Sequence, residues 1–142
     1  MTAAARDDDA LVAGFEAATL ASFHHADHVH VVWIYLGRLA LLDAAQAFTA
    51  NLKRFAAARG KPDLYHETIT LAFVLVIADR IARRGRGDTW SAFAAANPDL
   101  LTWQPSILDR CYDRETLDSP LAKRTFLWPS ITPLQRYPFT PF

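Results

Sequence analysis

Cysteine is almost missing from this chain. Cys111 is the one thiol in 142 residues, so no internal disulfide can form and cysteine-rich zinc sites are excluded. A reducing compartment suits that composition. Glycine is scarce too, five residues in all, and none is gathered into a phosphate-binding loop. There is no G-x-S-x-G nucleophile elbow, and the block "HETIT" lacks the second histidine of the H-E-x-x-H of zinc proteases, having Thr70 in its place. Neither sign of charge is in excess, 15 Lys+Arg against 15 Asp+Glu, which gives no electrostatic footprint for nucleic acid or an anionic membrane. The longest fully apolar run is "LAFVLVIA" at 71–78, stopped by Asp79 and Arg80. About twenty residues are needed to span a bilayer, so this run reads as a core helix. The start, "MTAAARDDDALVAGFEAATL", sets three aspartates where a secretory signal requires an apolar stretch, and a cytoplasmic location is expected.

What the chain does have is material for a core. Hydrophobic residues make up 51% and charged residues 21%, the balance of one globular domain that buries roughly two thirds of its unfolded surface. No strand-like alternation of useful length occurs, whereas helical spacing recurs throughout. The expected fold is all-α: a single helical domain over residues 1–142, with about four main helices, several short ones and a packed tail from about residue 126.

Asp7 to Asp9 look like the cap and acidic first turn of a helix over roughly 8–22. A second helix from near Ala26 is apolar on almost every side and should be central, with Gly37 ending or loosening it. The third, about 40–59, carries Leu41, Ala44, Ala45, Phe48, Leu52 and Phe55 at helical spacing and stops at Gly60 and Pro62. The fourth, about 64–84, ends in Arg80, Arg83, Arg84 and Arg86, read as a solvated helix end. Asp88 or Thr89 caps a short helix, Pro98 interrupts it, and one or two short helices are expected over 103–125. Five of the eight prolines fall at or after Pro120, mixed with Phe126, Trp128, Tyr137, Phe139 and Phe142. That density forbids regular helix, and so many aromatic rings suit a segment wrapped on the bundle.

The chemistry-bearing stretch is "FHHADHVHVVWIYL", residues 23–36, which holds four of the five histidines. On a helix, His24 and His28 lie about 40° apart with Val31 and Tyr35 on their stripe, and His30 points about 160° away from His28. His25 is ambiguous. The H-x-x-x-H spacing lets imidazoles from successive turns reach one cation, but two are too few. The other ligands would come from "YHET", where His66 is in line with Ile69, Phe73 and Ile77. If the two helix starts meet, His24, His28 and His66 form a set for a divalent transition metal (zinc, iron, manganese or nickel), with Glu67 as ligand or general base and Tyr35 and Tyr65 as binding hydroxyls. The plainer readings are that Glu67 and Thr68 are capping chemistry and that the histidines are satisfied core residues.

The blocks "FHHADHVHVVWIYL", "YHETITLAF", "NPDLL" and "SPLAKRTFLWPSITPL" together resemble a group of small helical bacterial proteins with no known activity, over roughly residues 15–135. The resemblance implies that His24 or His25, His28, Tyr65, His66 and Glu67 belong to recurrent blocks, without assigning roles. A looser likeness is to DinB-like bundles, whose metal is held by histidines of different helices; this chain departs from them in having no histidine in its C-terminal half. Two functions follow as expectations: a metal-binding protein, with a metal-dependent enzyme acting on a small organic molecule as one form of it, or a metal-free helical module for an apolar small molecule or a protein partner. Nucleic acid and membrane are not expected partners, and self-association into a homo-oligomer is left open.

Overall fold

The structure is a computed structural model that describes residues 3–131, with side chains described from Asp7 onward. Four long helices dominate it: α1 (Ala3–Ala17), α2 (His25–Arg38), α3 (Leu41–Ala58) and α4 (Glu67–Arg84). Four short ones follow, α5 (Trp90–Ala96), α6 (Pro98–Leu101), α7 (Arg114–Leu117) and α8 (Pro120–Arg124), with single 3-10 turns at Pro62–Leu64 and Ile107–Arg110. The described residues contain no strand, so the class is all-α as expected, and none of their helices is long and apolar enough to cross a membrane.

Helix α2 is central because it is apolar nearly all round. Val29 and the run Val31 to Tyr35 are buried, and α1, α3, α4 and α6 all pack against it. Phe15 of α1 stacks on Phe23 and Phe48, with ring centroids 4.7 and 5.6 Å apart, which ties α1, the entry to α2 and α3 into one aromatic cluster. A second, smaller cluster joins Ala72 and Phe73 of α4 to Leu108, Tyr112 and Leu117.

Several boundaries differ from the sequence reading, each for a visible reason. Helix α1 begins before the aspartates, two of which serve as side-chain partners instead of caps: Asp8 meets His30 Nε2 at 2.8 Å and Asp9 accepts from Arg38 at 2.6 Å. Helix α4 starts three residues later than expected because Pro62–Leu64 makes its own 3-10 turn and His66 caps the helix. Thr89, not Asp88, caps α5 by accepting from the Ala92 amide. Pro98 opens α6 as its first residue, where the missing N–H is harmless.

The arginine run proves only partly solvated. Arg83 pairs with Asp79 one turn back, but Arg80 makes a two-pronged bond to Asp99, at 2.9 and 2.7 Å, and also donates to Asn97. Arg86 lies over the Trp33 ring, 3.8 Å from its centroid, and donates to the Trp33 carbonyl. That placement explains Gly37, which α2 passes straight through: a Cβ there would sit 2.3 Å from the Arg86 guanidinium. Gly37 makes room for a neighbour.

The described part of the C-terminal segment is fastened down. The buried Thr68 hydroxyl donates to the Thr125 carbonyl at 2.8 Å and accepts from the Leu127 amide at 3.1 Å. Tyr112 donates to the Leu127 carbonyl, and the Ile131 amide to that of Cys111. Phe126 packs on the second cluster, whereas Trp128 is 77% exposed and contributes nothing to it. Tyr137, Phe139 and Phe142 lie outside the described residues.

Candidate functional site

Helices α2, α3 and α4 touch one another pairwise, yet their apolar faces do not close completely. Between them lies a cleft of about 610 Å³. Each helix supplies a strip at helical spacing. From α2 come His25, His28, Val29 and Val32; from α3 come Phe48, Leu52, Phe55 and Ala56; from α4 come Ile69, Phe73 and Ile77. The segment between α3 and α4 adds Lys61, Leu64, Tyr65 and His66, and Trp103 closes one side. The in-line set of His66, Ile69, Phe73 and Ile77 recognised in the sequence is this α4 wall.

The histidines divide by role. His25 is the first residue of α2, and its Nε2 lies 2.9 Å from the Leu100 carbonyl. A carbonyl only accepts, so Nε2 carries the proton and the neutral ring keeps a lone pair on Nδ1. Its ring sits edge-on to Phe73 at 4.7 Å and tilted on Trp103 at 5.2 Å. His28 stacks on Phe23 at 4.3 Å, and burial pushes its pKa down to about 4, with further lowering from the neighbouring His25 and His24 partly offset by the Phe23 carbonyl and Asp27. The pKa of His25 is lowered as well, by burial, against the raising effect of the Leu100 bond. Both rings are therefore neutral at pH 7, and both belong to the cleft wall.

His66 also borders the cleft, but both of its ring nitrogens are in use. Nδ1 accepts from the Ile69 amide at 3.1 Å, and Nε2 donates to the Leu117 carbonyl at 2.7 Å. A metal ion could bind it only by displacing one of these bonds. His24 is exposed and lies outside the cleft; its extended backbone ends the helix, and its amide donates to Asp27 at 3.0 Å. His30 is remote from the site, in contact with Asp8 and stacked flat on Trp90 at 4.2 Å. Among the described residues no group of three or more His, Cys, Asp and Glu side chains is placed to hold a metal ion. The expected convergence of His24, His28 and His66 on one ion therefore finds no ligand set there.

Tyr65 lines the cleft, and its hydroxyl donates to Glu67, so burial and that carboxylate together raise its pKa. Glu67 itself is not part of the wall. Tyr35 is buried two turns further along α2 than His28, outside the cleft, where its hydroxyl donates to Glu16 at 2.6 Å and accepts from Asn51 at 3.3 Å; burial first, then Glu16, raises its pKa. Cys111 is half-buried, and burial raises its thiol pKa, which suits a packing residue.

Sequence reading did not single out Arg59, Lys61, Leu64 or Trp103. Arg59 and Lys61 follow an ordinary helix end, and only the fold brings Trp103 beside His25. No family model matches the chain, and neither a curated protein nor a solved structure shows significant similarity to it.

Proposed function

We propose that the chain is a helical module that binds a small, largely apolar organic molecule in the cleft between α2, α3 and α4. The observation that carries this reading is the cleft itself: about 610 Å³, within the range of roughly 300–1,000 Å³ typical of small-molecule sites, and walled mainly by aromatic and aliphatic side chains. A chain of this size has every reason to close such a gap with larger side chains, since open apolar volume forfeits packing. Ala56, small and facing the cleft from α3, is where one would have done so.

The polar groups are few and fixed, as an orienting set should be. His25 offers Nδ1 as an acceptor, its other nitrogen being held by Leu100. His28 offers the edge of a neutral ring whose face lies on Phe23. With its N–H held by a backbone carbonyl, a neutral imidazole keeps one acceptor nitrogen, which suits a hydroxyl on an otherwise apolar ligand.

The test is fluorescence titration with N-phenylnaphthylamine, a neutral apolar probe that brightens away from water, on parent protein and on Ala56→Phe. Saturable one-to-one binding to the parent and its loss in the folded variant are expected. Absence of saturable binding, or equal binding by both proteins, would contradict the proposal.

A further inference from the structure

Every formally charged side chain on the cleft is a cation. Arg59 and Lys61 line it, and no aspartate or glutamate does. Arg59 lies against one of the wall rings, with its guanidinium carbon 4.8 Å from the Phe55 centroid, and its one hydrogen bond, at 3.3 Å, goes to the Ala21 carbonyl. Neither Arg59 nor Lys61 has an ion-pair partner among the described residues, although Arg38, Arg80 and Arg114 all do. Both are exposed, as are Leu64 and Trp103, so these four form the mouth of a cleft whose floor is buried. Basic residues past a helix end also complement its carbonyls. That accounts for their place after α3 but not for the absence of aspartate and glutamate from the lining itself.

We infer that the ligand is an apolar monoanionic acid, an alkyl or aryl carboxylate, whose hydrocarbon part fills the cleft and whose carboxylate meets Arg59 and Lys61 at the mouth. The inference rests on the cleft being a binding site. Arg59 presents a planar fork of donors of which one is committed, which suits a two-pronged bond to a carboxylate. Lys61 adds a point charge. A cationic ligand would meet repulsion at the mouth, and a neutral one would leave both cations unused.

Calorimetric titration of the full chain with two matched pairs, decanoate against decanol and naphthoate against naphthylmethanol, tests it. At low salt the acid of at least one pair is expected to bind about tenfold tighter than its alcohol, the worth of one charge-assisted hydrogen bond. In the Arg59→Gln/Lys61→Gln double variant that preference should vanish while the alcohol binds as it does to the parent, which also shows the variant to be folded. Added salt should narrow the gap in the parent alone. Equal affinity for acid and alcohol in the parent would overturn the anionic ligand and leave the apolar cleft standing. Failure of all four molecules to bind would overturn both.

Discussion

His66 is fastened to Leu117 across 51 residues of sequence, its Nε2 donating to that carbonyl at 2.7 Å while Nδ1 caps helix α4 at the Ile69 amide. One imidazole thus joins the start of α4 to the end of α7, and its roles can be separated by substitution. His66→Asn keeps a good cap but is too short for Leu117, so it should cost about 1 kcal/mol, whereas His66→Ala loses both bonds and should cost about 2–3 kcal/mol. Urea denaturation measures both. Equal effects would mean that the cap contributes nothing and that only the Leu117 bond matters.

Stability should fall on mild acidification because of the cleft histidines. The folded chain holds His28 with a pKa of about 4, and the unfolded chain takes up that proton near 6.5. A group whose folded pKa is depressed in this way contributes fully above pH 6.5 and loses its contribution as pH falls toward 4. At about 1.4 kcal/mol for each pH unit over which one extra proton binds the unfolded state, the loss is on the order of 3 kcal/mol, with His25 adding in the same direction. Asp99, held down to about 2 chiefly by its hydrogen bond from Arg80, acts in a lower window, below about pH 4. Denaturation midpoints between pH 7 and 4.5 should drop for the parent and drop less for His28→Gln. Parallel curves would contradict the burial of His28.

Gly37 and Arg86 should behave as a coupled pair. Alanine in a helix is favoured over glycine by about 1 kcal/mol, yet in the parent Gly37→Ala must displace the guanidinium from Trp33. Arg86→Ala alone should cost about 1–2 kcal/mol through the lost ring contact and hydrogen bond. In that background Gly37→Ala should become stabilising. A double-mutant cycle by thermal melting reads the change of sign, and additive effects would show that the close approach does not matter.

Thr68 anchors the segment after α8. Thr68→Val keeps the shape but leaves the Thr125 carbonyl and the Leu127 amide without their partner, a cost of about 1–3 kcal/mol. Amide exchange at Leu127 should rise well above that at Ile77 in the core of α4. Unchanged protection at Leu127 would mean that other contacts hold the segment.

Much of this fold was legible because its helices are amphipathic in the simplest way. The Phe48, Leu52 and Phe55 stripe placed α3 to within a residue, and the nearly all-round apolarity of residues 29 to 35 marked α2 as central. The cleft was legible only in pieces. Helical spacing put Tyr35 on the stripe of His28, but two turns further on that stripe runs into α1 and α3, where Glu16 and Asn51 take up the hydroxyl. Spacing also joined His24 to His28, whereas α2 begins at His25 and leaves His24 extended and exposed. A one-residue change in where a helix starts decides which of two adjacent histidines faces inward. Nor can a stripe say whether the faces it belongs to meet fully or leave a gap. That depends on how three helices lean on one another, and Trp103 reaches the site from a loop with no periodicity to read.

Methyl NMR of the parent titrated with N-phenylnaphthylamine tests cleft binding most directly, because it reports where the ligand lies. Binding between α2, α3 and α4 requires saturable shifts at the methyl groups of Val29, Val32, Leu52, Ile69 and Ile77, with those of Leu108 and Leu117 in the second cluster unmoved. Shifts confined to exposed leucines such as Leu39 and Leu42, or none that saturate, would contradict it.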